Sequence, residues 1–106
     1  METREIISDK DKVIRKQEFS DGLRDVISQW ISLNANRQSL VTVQRVELAY
    51  TNKSAKIFIS TLPESEGDKI MEFLRRHTHD ISHYLKKKIP HRMTPFLKFE
   101  KAVTLR

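Results

Sequence analysis

The sequence predicts an α+β domain in which one amphipathic helix precedes a β-hairpin and a long or broken helical region leads into a last strand. Three observations carry that reading. Apolar residues between Phe19 and Ile31 recur on one helical face, two segments between Leu40 and Ser60 alternate apolar and polar side chains, and helical spacing returns from Ile70 to Leu85. The 106 residues, 38% of them hydrophobic, are enough for one compact domain and too few for two of ordinary size, so residues 1–106 are expected to form a single unit.

Residues 1–17 are highly charged and only loosely periodic, which reads as a partly ordered arm or an early helical turn. From Phe19 the pattern sharpens. Phe19, Leu23, Val26, Ile27, Trp30 and Ile31 share one face of a helix reaching about Leu33, with Asp21, Arg24, Asp25 and Ser28 opposite. Trp30 completes the apolar stripe and is expected in the core. The turn-rich NANRQS from Asn34 to Ser39 ends the helix.

In LVTVQRVELAY, Val41 and Val43 alternate on one parity and Val46, Leu48 and Tyr50 on the other, the mark of a strand bulged near Gln44 and Arg45. After a short turn through Asn52 and Lys53, Ala55, Ile57 and Ile59 define the buried face of the second strand of a hairpin. Tyr50 and Phe58, aromatic residues at strand spacing, are expected in the core rather than stacked on bases. Ser65 and Asp68 are spaced like a capping box at the start of the next helix, whose Ile70, Phe73 and Leu74 point inward. Helical spacing continues through His77, Ile81, Tyr84 and Leu85. Pro90 and Pro95 then stop it, and FLKFEKAV alternates as a final strand.

Composition narrows the function. The net charge of +6 is unevenly spread: residues 1–39 hold seven basic and seven acidic side chains, residues 40–74 four and five, residues 75–106 nine and two. A C-terminal excess of that kind attracts anionic partners, nucleic acid among them. With no cysteine, disulfides and thiolate-bound zinc are excluded, and a reducing compartment fits. No run approaches the roughly 20 apolar residues of a membrane span, and METREIISDKDK has no apolar signal segment, so a soluble cytoplasmic protein is expected.

The stretch RRHTHDISHYLKKKIPHR, residues 75–92, carries all four histidines and six of the twenty basic residues. Arginine can bind phosphate oxygens with two parallel hydrogen bonds and lysine supplies a flexible point charge, so Arg75, Arg76, Lys86, Lys87, Lys88 and Arg92 suit phosphate contact. The plainer alternative for Lys86 to Lys88 is that cations offset the dipole at a helix C-terminus. His79 and His83, four residues apart, share a helical face, but durable metal sites recruit three or four ligands and only Asp80 is a nearby carboxylate. No metal is expected. Nor is catalysis. There is no cysteine nucleophile, phosphate-binding glycine loop or zinc-protease motif, and Ser82 and His83, adjacent in sequence, do not face each other on a helix.

Val46, Glu47 and Leu48 in the first strand, AKIFIS in the second, and the ending formed by Arg92, Pro95, Leu97 and Phe99 resemble the ribosome-binding factor A family of bacterial small-subunit assembly factors. The similarity runs over roughly residues 15 to 100 and lies in the order and spacing of these motifs. It implies a type II KH-like domain of order αββααβ, with a three-stranded sheet and helices packed on one face. In that family a helix-kink-helix with an alanine-any-glycine interruption replaces the RNA-clamping loop of ordinary KH domains. Here the interruption falls on His77, Thr78 and His79, and histidine disfavours the positive backbone angles that glycine accepts, which leaves open whether the junction is kinked. Ser82 follows the matched Ile81 where the family commonly has a basic residue, and NANR replaces its usual aspartate-proline-arginine turn.

The resemblance therefore implies a non-enzymatic ribosome maturation factor that binds the small (30S) ribosomal subunit and its 16S rRNA during late assembly and rRNA processing. The expected RNA-binding residues are Arg75, Arg76, His77, Thr78, His79, Ser82, Lys86, Lys87, Lys88 and Arg92. Neither cofactor, metal, membrane nor small-molecule substrate is expected, and the protein is expected to be monomeric. The rival is a generic KH-like RNA-binding or protein-interaction module without an assembly role; a histidine-rich metal-responsive protein is a weaker third.

Overall fold

A computed structural model describes residues 9–35 and 38–103 of the chain. The elements follow in the order α1 (Asp9–Asn34), β1 (Leu40–Leu48), β2 (Ser54–Leu62), a short 3-10 turn (Glu64–Glu66), α2 (Gly67–Arg76), α3 (Thr78–Lys88) and β3 (Phe96–Lys101). The strands form one sheet in the order β1-β2-β3, antiparallel between β1 and β2 and parallel between β2 and β3. A parallel neighbour can be reached only by a crossover, and α2 and α3 provide it. This αββααβ arrangement is the type II KH-like architecture. Among the described residues no helix is long and apolar enough to cross a membrane.

One face of the sheet carries the core. Ala55, Ile57 and Ile59 of β2, Val43 of β1 and Leu97 and Phe99 of β3 are buried beneath Phe19, Leu23, Ile27, Trp30 and Ile31 of α1, Ile70, Met71 and Leu74 of α2, and Ile81 and Leu85 of α3. Residues of the opposite parity, among them Lys56, Lys98 and Glu100, are exposed. The strand register explains the change of parity in β1. Val43 pairs with Ile59 and Arg45 with Phe58, so Gln44 is the extra residue of a bulge, its side-chain amide donating to Ser60 Oγ at 2.6 Å. Beyond it, Val46 and Leu48 pack against the core although their parity differs from that of Val43.

Four details depart from the sequence reading. Helix α1 starts by Asp9, about ten residues before Phe19; Arg15, Lys16, Gln17 and Glu18, which lead into the apolar stripe, are good helix formers. The expected arm is thus helical over residues 9–17, and residues 1–8 of it lie outside the described residues. Ser65 does not cap α2. It sits in the 3-10 turn, Glu66 occupies the cap position without a side-chain bond, and Asp68 instead pairs with Lys101 of β3. The Lys101 hydrogen bond and charge hold the Asp68 carboxyl below the usual carboxylate range.

Tyr50, expected in the core, is 97% exposed, because it lies past the end of β1 on the hairpin tip. Asn52 at φ 61° shapes that tip, a conformation asparagine tolerates, with its N–H donating to Ala49 O at 2.9 Å. Phe58, also expected in the core, is only half-buried. It lies on the outer face of the sheet with the Arg45 guanidinium 3.9 Å from its ring centre.

Trp30, at 6% exposure, does belong to the core. Its ring lies 5.9 Å from that of Phe73, joining α1 to α2. Trp30→Ala should therefore destabilise the protein by about 3 to 5 kcal/mol in a denaturant titration; a near-native midpoint would show that the α1–α2 contact does not depend on this ring.

Candidate nucleic-acid interface

The helical region is interrupted at a single residue. His77 adopts φ −102° and ψ 17°, and its N–H is shared between Phe73 O at 3.1 Å and Leu74 O at 3.2 Å. Helix α3 then restarts with Ile81 N–H donating to His77 O at 3.0 Å. No positive backbone angle is used, so the junction forms without glycine. The Thr78 hydroxyl lies 2.9 Å from Arg75 O and 3.1 Å from Leu74 O, adding a side-chain donor to the carbonyls at the end of α2.

The expected RNA-binding residues separate into three groups. His77 faces inward: its ring centre is 4.6 Å from Phe73 and 5.8 Å from Trp30, and its Nδ1 lies 2.9 Å from an Asp80 carboxylate oxygen. Thr78 is occupied with backbone, as above. Arg75 Nη2 donates to Phe99 O at 2.9 Å, tying α2 to the exposed edge of β3. These three side chains hold the junction in place.

The second group faces solvent. At 100° per residue His79, Ser82, His83, Lys86 and Lys87 fall within about 140° of arc on α3, opposite the buried Ile81 and Leu85. Arg76, also exposed, ends α2 just before the junction, at the rim of the groove between α2 and β3. Among the described residues, Arg76, His79, His83, Lys86 and Lys87 make no side-chain hydrogen bond or ion pair, so their donors point outward unspent. His83, which sequence reasoning weighed as half of a metal pair and as a catalytic neighbour of Ser82, takes its place in this row. The spacing that suggested a metal equally spaces donors along a polyanion, and no group of three or more metal-ligating side chains is assembled among the described residues.

The third group turns toward α1. Lys88 Nζ is 5.4 Å from the Tyr84 ring centre, and the Arg92 guanidinium lies 4.4 Å from that of Phe19. Tyr84 OH donates to Gln29 Oε1 at 2.8 Å. Helices α1 and α3 are thereby locked antiparallel, and the cationic end of α3 lies beside the early turns of α1. By contrast, the groove between α2 and β3 mixes Asp68, Glu72 and Glu100 with Lys69, Arg75, Arg76 and Lys101, a mixed field that gives an anion no consistent attraction.

The profile of the family described as ribosome-binding factor A matches residues 15–105. A ribosome-binding factor A from Coprothermobacter proteolyticus is 28% identical over 91 residues, which make up 84% of this chain. That stretch spans 66% of the relative's own length. Among solved structures, the crystal structure of ribosome-binding factor A from Thermus thermophilus matches with a TM-score of 0.69 at 20% identity, covering 79% of this chain and 92% of that one. A homology model of the Thermus thermophilus factor, fitted into a cryo-EM map of a 30S complex, matches equally well, at 0.69 and 20% identity over 80% of this chain and 92% of that one. At that level of identity the two structures establish the fold.

The different settings of the two junction histidines have a measurable consequence. His77→Ala removes a ring contact and a hydrogen bond and should lower stability by about 1 kcal/mol, whereas His79→Ala, on the exposed face, should stay within about 0.5 kcal/mol of the parent. Urea denaturation of the two variants decides between this assignment and its reverse.

Proposed function

Because the chain belongs to the ribosome-binding factor A family, we propose that it binds the small (30S) ribosomal subunit through 16S rRNA and acts in late subunit assembly and rRNA processing. The observation that carries the reading is the solvent-facing row of Arg76, His79, Ser82, His83, Lys86 and Lys87. It presents donors along one side of α2 and α3 while the opposite side is committed to the core. Such a row follows a phosphate backbone, and each phosphate it neutralises releases condensed counterions. Lys88 and Arg92 extend it at one end, and Arg75, His77 and Thr78 position it. The relative fitted into a 30S map supports the choice of partner.

The protein works as a binder, by occupying and reshaping an immature RNA site. It acts in the cytoplasm as a single KH-like domain and a single copy, without cofactor or small-molecule substrate. The direct test is cosedimentation at moderate salt, in which the protein should travel with free small subunits rather than with complete ribosomes. Sedimentation with neither would favour a generic KH-like module instead.

Lys86→Ala/Lys87→Ala should weaken small-subunit binding and reduce the slope of log affinity against log salt by about 0.7 to 0.9 for each phosphate that is no longer neutralised. Both side chains are exposed, so the melting temperature should not move. An unchanged salt slope would place the RNA surface elsewhere.

A further inference from the structure

We propose that the tip of the β1–β2 hairpin is a second RNA-binding site, where the Tyr50 ring stacks on an unpaired base and Lys16, Lys53 and Arg92 hold the flanking phosphates. The inference rests on the RNA-binding reading above and adds to it a site for single-stranded RNA. Its starting point is the exposure of Tyr50, 97% of whose surface is open to solvent.

The ring is carried on a well-defined support. Ala49 N–H donates to Ser54 O at 2.9 Å, closing the hairpin, and the left-handed Asn52 returns its own N–H to Ala49 O. Lys16 of α1 donates from Nζ to the same Ala49 carbonyl at 2.9 Å, which places its ammonium 5.9 Å from the Tyr50 ring centre. An aromatic side chain with two rotatable bonds on a braced turn loses little entropy when it binds.

Three segments bring cations to this end of the domain. Lys16 lies one helical turn before Phe19, whose ring supports the Arg92 guanidinium. Lys53 belongs to the turn itself and is joined to the start of β3 by Phe96 N–H donating to its carbonyl at 2.9 Å. Glu47, the acid preceding the tip on β1, is already paired with Arg45 at 2.8 Å. The C-terminal turn of α3, with Lys86 and Lys87, lies toward the same end, because α3 runs antiparallel to α1 and Arg92 reaches Phe19. RNA leaving the α3 row thus has a cationic path to the tip.

An exposed aromatic ring among cations matches single-stranded RNA, whose bases can turn outward and stack, whereas in a duplex the bases are held inside. The test uses the full chain with a single-stranded oligoribonucleotide of about ten nucleotides, within the usual range of such sites, and a duplex of the same length. Tyr50→Ala should weaken binding of the single strand by about 5- to 150-fold, the range for loss of one base–aromatic stack. Duplex binding and the salt slope should be unchanged. Tyr50→Phe, which keeps the ring, should bind like the parent, and both variants should melt like the parent.

Equal weakening toward single strand and duplex, or none toward the single strand, would overturn the proposal. So would a Tyr50→Ala protein that loses small-subunit binding yet keeps its affinity for the oligonucleotide, since the tip would then contact a ribosomal protein. The Lys86→Ala/Lys87→Ala variant separates the two readings. If it loses subunit binding while Tyr50→Ala loses nothing, the tip proposal fails and the α3 row stands; if the parent binds neither RNA nor subunit, both fail.

Discussion

The parallel pairing of β2 with β3 governs how the rest of the chain is arranged. After β2 the chain must return along the sheet before β3 can begin, and the only face it can cross is the one on which Ala55, Ile57, Ile59, Leu97 and Phe99 need cover. The crossover therefore has an apolar side and a free side. Ile70, Leu74, Ile81 and Leu85 use the first, while Arg76, His79, His83, Lys86 and Lys87 are left on the second. The row of donors thus follows from how the fold buries its sheet, and α1, pressed against α3, fixes its direction.

Most of this architecture was legible in the sequence because it follows from periodicity. The change of parity between Val43 and Val46 was enough to place a bulge near Gln44 and Arg45, and the helical spacing of Phe19 to Ile31 was enough to bury Trp30. Other features depended on interactions between distant segments. The spacing of Ser65 and Asp68 fits a capping box, but Lys101, 33 residues further on, engages Asp68. Tyr50 continues the alternation of β1 one step past the point where any helix covers it. Nothing local marks where that cover ends.

The basic stretch shows the same limit. Its residue types were readable, but not their division among the junction, the exposed row and the α1 side. His77 and His79 are two residues apart, yet one packs against Phe73 and Trp30 while the other meets solvent, because His77 sits in the break between the helices and His79 in the first turn of α3. The junction also shows how a helix can break without glycine: the ring packing of His77, the Asp80 carboxylate and the Thr78 hydroxyl hold a break with ordinary negative φ.

The edges of the sheet bear on what happens when many copies of the chain are made at once. An open strand edge is a template on which another chain can add, the usual beginning of β-aggregation. Here β1 and β3 are the edges, and each is blunted differently. In β1 the extra residue at Gln44 breaks the even sequence of outward hydrogen-bonding groups, with the charged Arg45 beside it. In β3 the Arg75 guanidinium occupies the carbonyl of Phe99, and the bridge from Lys101 to Asp68 lies across the end of the strand. The arginine that fixes the crossover to the sheet thus also denies an incoming strand one of the carbonyls it would need, which links resistance to self-association to the anchoring of the crossover.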